Sequence, residues 1–197
     1  MNELSLLAKK HDTDKGVEGL RWEDTYHGFT EYYHDYLKHL RDEKFVLLEI
    51  GVGGYDTIWD GGQSLKMWAE YFPNADIHGL DLYDKEIEGR FITHQGSQAD
   101  ENTLLELISQ IGRPKIIIDD GSHIDSHIRT SYDTLFPLLA EGGIYIIEDA
   151  HVTYTPEGDE VTNPIGDLSF LAYMRVIDKE SLFTSIHFHY GFIIIKK

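Results

Sequence analysis

The sequence predicts a single α/β domain: a mostly parallel sheet with helices on both faces, closed by an antiparallel hairpin at its C-terminal end. Three observations predict it. Short apolar runs alternate with helical patterns from residue 45 onward, which is how a parallel sheet with crossover helices reads. The last apolar segment, 183–196, holds two strands broken near Gly191, and a turn that tight joins only antiparallel strands. A chain of 197 residues, 41% of them hydrophobic, fills one sizeable core and leaves little for a second domain.

The elements follow in order. Residues 24–41 place Tyr26, Phe29, Tyr33, Leu37 and Leu40 on one helical stripe; 11–22, poor in apolar residues, reads as a loop or lid. We therefore expect 1–44 to be a helical or lid segment packed on a core formed by 45–197. Residues 45–50 form a buried strand running into glycines, and 64–72 a helix with Ser64 as N-cap. Strands at 77–82 and 90–94 follow, then an amphipathic helix over 100–111 stopped by Gly112 and Pro114. Three consecutive isoleucines make 115–119 the clearest strand. A helix over 124–139, a strand over 144–148 and a helix over 167–178 complete the pattern before the hairpin.

Composition narrows the function. A net charge of −18, with 17 scattered Lys and Arg, opposes binding to nucleic acid or to an anionic membrane surface. No stretch reaches the roughly 18 apolar residues that span a bilayer, and the N-terminus lacks a signal peptide's pattern. With no cysteine there is neither a disulfide framework nor a thiolate metal site, which fits a cytoplasmic protein.

Two groups of residues carry chemistry. The first is the turn Glu49-Ile50-Gly51-Val52-Gly53-Gly54, at the carboxyl edge where open α/β sheets bind ligands. Glu49 suits an ammonium group, Asp81 at the end of the next strand suits ribose hydroxyls, and Ser97 and Gln98 suit adenine. A plain tight turn and a strand-end aspartate would account for the same residues, and neither the dinucleotide nor the P-loop glycine pattern is present. The second group is acidic. Asp119-Asp120-Gly121-Ser122-His123 follows one strand and Glu148-Asp149 the next; if those strands are parallel neighbours, their ends lie roughly 5 Å apart. Carboxylates so close raise one another's pKa unless a cation intervenes, and all-oxygen ligation suits Mg²⁺, with Mn²⁺ also able to serve. Helix capping would explain one acid per strand but not two pairs. His123 is placed to act as a general base beside that cation.

Taken together, Leu48-Glu49-Ile50-Gly51-Val52-Gly53-Gly54, Gly62-Gln63-Ser64-Leu65 with Trp68, Gly79-Leu80-Asp81, Gln95-Gly96-Ser97-Gln98, Ile118-Asp119-Asp120-Gly121-Ser122-His123 and Ile147-Glu148-Asp149 resemble the metal-dependent O-methyltransferases of macrolide sugars. The similarity covers roughly residues 9–154 and includes Thr13-Asp14-Lys15-Gly16. It implies a Rossmann-like class I methyltransferase fold using S-adenosylmethionine and Mg²⁺. It places the metal on Asp120, Glu148 and Asp149, the base on His123, and the cofactor around Glu49, Gly51, Ser64, Asp81, Ser97 and Asp119; position in the glycine turn adds Gly53, and position at the end of the third strand adds Gln98. The implied acceptor is a sugar or glycoside hydroxyl. A catechol or other vicinal diol would chelate the same cation, and a non-catalytic cofactor- or metal-binding module remains the alternative from another class. Acceptor identity and oligomeric state, a homo-oligomer included, stay open, as pocket residues would come from 16–28 and 150–166.

Overall fold

The computed structural model describes residues 1–18, 27–150, 183–189 and 191–197. Five helices and seven strands are built from them: α1 Glu3–His11, α2 Phe29–Leu37, β1 Val46–Ile50, α3 Gln63–Tyr71, β2 Asp76–Asp81, β3 Ile92–Gln95, α4 Glu101–Ile111, β4 Ile116–Asp119, α5 Asp125–Leu135, β5 Ile144–Ile147, β6 Ser185–His189 and β7 Phe192–Lys196. The strands form one sheet in the order β3-β2-β1-β4-β5-β7-β6. The first five are parallel, and β7 runs antiparallel to both β5 and β6. The expected helix over 167–178 lies outside the described residues.

Each face of the sheet carries its own core. On one, Leu47, Ile77, Ile116, Ile146 and Ile194 pack with Leu4, Ala8, Phe29, Tyr33, Leu37 and Trp68 from α1, α2 and α3. On the other, Leu48, Ile117, Tyr145 and Ile195 meet Leu104, Leu107, Ile128 and Tyr132 from α4 and α5. Alternation along each strand, the period of a pleated sheet, assigns successive side chains to opposite cores. Both faces being covered explains why β4 and β5 are continuous apolar runs rather than alternating ones.

Three expectations need correction. Helix α1 carries too narrow a stripe to be visible as a pattern: only Leu4, Ser5 and Ala8 are buried, and its start is set by the Asn2 side chain accepting from the Ser5 amide at 2.8 Å. Ser64 is not an N-cap. Gly62 occupies that place with φ 73°, and Ser64 sits inside the first turn. The stretch after α1 is not loosely held, since Thr13 and Lys15 are 3% and 1% exposed. Backbone bonds clamp it between the first two helices, from the Thr13 amide to the Ala8 carbonyl and from the Thr30 amide to the Lys15 carbonyl.

Candidate active site

Because β1 pairs with β2 on one side and with β4 on the other, the chain reverses its direction of winding between β1 and β4. A crevice opens at the carboxyl ends of strands at such a point, and ligands bind there in open α/β sheets. The residues singled out in the sequence line this edge, in two groups.

The glycine turn follows β1. Gly51 has φ 90°, and a Cβ there would come within 1.9 Å of the Asp120 carbonyl oxygen. Its lack of a side chain thus lets the loop after β4 cross close to the loop after β1. Asp81 ends β2 and joins this turn to its own strand: one carboxylate oxygen accepts from the Val52 amide and the other from the Tyr83 amide, both at 2.9 Å. Ser97 lies beyond β3, partly exposed, its hydroxyl accepting from the Ala99 amide.

Several residues expected at the cofactor have their side chains engaged within the protein. Asp119 is 2% exposed, and its carboxylate accepts from Ser131 Oγ, from the Tyr145 hydroxyl at 2.9 Å and from Gln98 Nε2 at 2.9 Å. Burial pushes its carboxyl up, and these three donors partly offset it. Gln98 in turn accepts from the Ser122 amide at 2.7 Å, so the pair fixes the loop 120–123 from below. Ser64 donates to Glu49 Oε2 at 2.9 Å. Glu49 was expected to meet the ammonium of a ligand. It is fully buried, and the ammonium it meets is that of Lys15, at 3.2 Å.

The acidic group forms as the pairing of β4 with β5 requires, Asp119 lying opposite Ile147 so that residues 120 and 148–149 emerge side by side. Lys15, to which the sequence assigns no role, enters from the N-terminal segment. Its ammonium donates to Asp120 Oδ2 at 2.5 Å and Glu148 Oε2 at 2.8 Å. Burial opposes that charge, but Asp120, Glu148, Glu49 and Asp14 outweigh it and hold the lysine well above its ordinary pKa. The acids remain strained electrostatically. Burial, only partly offset by Lys15, raises Glu49 to about 7 and Glu148 well above the carboxylate range. Asp120 is raised for the same reason.

On the other side of Asp120 lie His123 and Asp149, and the three residues offer ligand atoms all within 4.8 Å of one another. His123 Nε2 is 3.7 Å from Asp149 Oδ2, and both residues have left-handed backbone conformations, φ 56° and 49°. Such conformations disfavour residues other than glycine and are found at functional sites. His27 Nδ1 reaches the other Asp149 oxygen at 3.9 Å. Glu148 faces Lys15 instead, yet its Oε1 is buried without a hydrogen-bond partner among the described residues, as is the hydroxyl of Tyr33. Burial and the Glu148 charge push that phenol well above its ordinary pKa.

This donor set fits a hard divalent cation. Carboxylate oxygens from Asp120 and Asp149 suit Mg²⁺ or Mn²⁺, and a buried Glu148 oxygen has no hydrogen-bond partner among the described residues. Of the segments assigned to the acceptor pocket, residues 19–26 and 151–166 lie outside the described residues.

No protein-family model matches the chain. Comparison with characterised proteins finds the Mycinamicin VI 2″-O-methyltransferase of Micromonospora griseorubida, 45% identical over 156 residues, covering 78% of this chain and 37% of that protein. A tetracenomycin-C rhamnosyl 3′-O-methyltransferase of Streptomyces olivaceus is 41% identical, over 78% of this chain and 38% of its own length. Among solved structures, the MycE methyltransferase of the mycinamycin pathway, in complex with Mg, SAH and Mycinamycin VI, superposes with a TM-score of 0.84 at 34% identity. That match covers 99% of this chain and 54% of the other. The chain thus spans less than two thirds of these relatives, and shares with the last a class I methyltransferase fold.

Proposed function

We propose that the chain, 41–45% identical over 78% of its length to sugar O-methyltransferases, is a member of that family and catalyses S-adenosylmethionine-dependent, Mg²⁺-assisted O-methylation of a hydroxyl on a sugar or glycosylated natural product, with His123 as general base. One observation carries this reading: Asp120, His123 and Asp149 place ligand atoms within 4.8 Å at the carboxyl edge of β4 and β5. When bound, the cation polarises a hydroxyl that otherwise ionises far above neutral pH, and S-adenosylmethionine carries the methyl group that hydroxyl receives.

The chain's own residues supply the rest. Asp120, Glu148 and Asp149 are the candidate ligands, Glu148 through its unpartnered Oε1. His123 takes the acceptor's proton at a ring nitrogen, with Asp149 3.7 Å away. Gly51, Gly53, Asp81 and Ser97 lie where a nucleoside would rest along the ends of β1, β2 and β3; the Asp81 oxygens keep lone pairs for ribose hydroxyls. Glu49, Ser64, Gln98 and Asp119 act from beneath, holding the two loops between which a cofactor would lie.

A panel of glycosides and vicinal diols incubated with labelled S-adenosylmethionine tests the reading. EDTA should abolish transfer and Mg²⁺ restore it. His123→Ala should bind S-adenosylhomocysteine as tightly as the parent while turning over about 10²–10⁴-fold more slowly. Full turnover in EDTA would overturn the metal's role.

A further inference from the structure

We propose that Lys15 is a positioning residue of the metal site, an ammonium built into the fold that holds Asp120 and Glu148 by one oxygen each and thereby presents their other oxygens to the cation. The inference rests on the reading that Mg²⁺ binds beside Asp120.

Lys15 is 1% exposed, and its ammonium donates to Asp120 at 2.5 Å and Glu148 at 2.8 Å and pairs in charge with Glu49 at 3.2 Å. Those acids come from the ends of three different strands, β4, β5 and β1. A buried cation held among three carboxylates requires its backbone to be fixed, and it is. The segment leaves α1 through Asp12 in the left-handed conformation. Gly16 then packs so tightly that a Cβ would stand 3.1 Å from that of Ala8. Further on, the His27 and Gly28 amides donate to the Asp14 and Gly16 carbonyls, each at 2.8 Å.

Asp120 takes part in two groups. Its Oδ2 is held by Lys15, and the residue also offers a ligand atom to the group with His123 and Asp149. Groups that orient metal ligands from behind in this way set affinity strongly, and removing them commonly weakens binding by about 10–100-fold. Charge alone predicts the reverse: deleting a positive neighbour should tighten a cation's binding.

The two accounts separate in one titration. Mg²⁺ affinity is measured calorimetrically on the parent, on Lys15→Met and on Lys15→Met/Glu49→Gln, with far-UV circular dichroism and melting curves as the check on folding. The double variant removes one of the carboxylates left unpaired, so it keeps the test open where the single variant does not fold. Mg²⁺ binding at least about tenfold weaker in a folded variant is the expected result. Equal or tighter binding overturns the positioning role. A parent protein that binds no Mg²⁺ would instead remove the metal reading itself, which is a separate failure.

Discussion

Gly51 and Gly53 sit two residues apart in the same turn, and both have left-handed backbones, yet alanine at the two positions should behave very differently. At Gly53, φ is 78° and the nearest atom to an added Cβ is the Gly61 Cα at 3.9 Å. Only backbone strain opposes the substitution, about 1–2 kcal/mol. At Gly51, with φ 90°, the same strain is joined by a clash with the carbonyl oxygen and carbon of Asp120 at 1.9 and 2.7 Å. Those are backbone atoms with no rotamer to escape into. They are also pinned, because the Asp120 amide donates to the Ile50 carbonyl at 2.9 Å. Relief requires lifting residue 120 off β1 and weakening that bond, about 1 kcal/mol more, so Gly51→Ala should cost about 3 kcal/mol in all. For a chain of this size that is a fall of about 6–12 °C in melting temperature. Urea denaturation of both variants beside Mg²⁺ titration is the assay. Gly51→Ala should lose both stability and metal affinity, since the displaced residue is a candidate ligand, and Gly53→Ala should lose stability alone. If the two cost the same, the close crossing of the two loops does not govern the turn.

Other consequences are simpler. Asp119→Ala removes the acceptor of three buried donors, Ser131, Tyr145 and Gln98, and should cost about 3 kcal/mol or more by denaturant titration; a loss under about 1 kcal/mol would contradict the saturated setting described for it. Lys85, 5% exposed, donates to the carbonyls of Tyr55, Thr57 and Asp60, so Lys85→Met should free the loop carrying the exposed Tyr55 and Trp59, and chymotrypsin should cut there faster. His78 Nδ1 lies 3.0 Å from His94 Nε2, and burial, with the neighbouring ring adding for His78, holds both below the ordinary imidazole value. The unfolded chain therefore takes protons near pH 6.5 that the folded pair resists, and this contribution to stability is lost as pH falls through that value. In His94→Gln the decline in stability between pH 7.5 and 5.5 should be shallower than in the parent; an equal decline would remove the pair as its source.

What was legible in the sequence divides along a physical line. The sheet could be read because both its faces are covered, which turns β1, β4 and β5 into apolar runs with sharp polar ends, and the acids at those ends mark the carboxyl edge. That Asp120 and Asp149 would meet followed from one assumption about strand adjacency, which the register of β4 with β5 satisfies. Helix α1 escaped because its buried stripe holds only Leu4, Ser5 and Ala8, two of them small. The directions in which side chains turn escaped too. Periodicity places Asp119 and Asp120 at a strand end without saying that the first accepts bonds inside the core while the second faces the crevice. Lys15 could not have been found from pattern, since a lone lysine among polar residues reads as solvated. The one available signal was arithmetic: buried acids gathered from several strands need cations, and the block Thr13-Asp14-Lys15-Gly16 fell within the resemblance without a role assigned to it.

That arithmetic also constrains how the site is assembled. Glu49 and Glu148 are buried, at 0% and 2% exposure, so they stay ionised only beside a counter-charge and otherwise take up protons. A diffusible cation would supply it only when bound, and their ionisation would then depend on metal concentration. A lysine carried on the preceding segment supplies it permanently. It can do so because α1 and α2 share the core of α3 and the sheet, through Leu4, Ala8, Phe29 and Tyr33. The packing of that segment and the electrostatics of the acids are for this reason one problem: whatever loosens α1 from the sheet withdraws the cation on which the buried carboxylates depend.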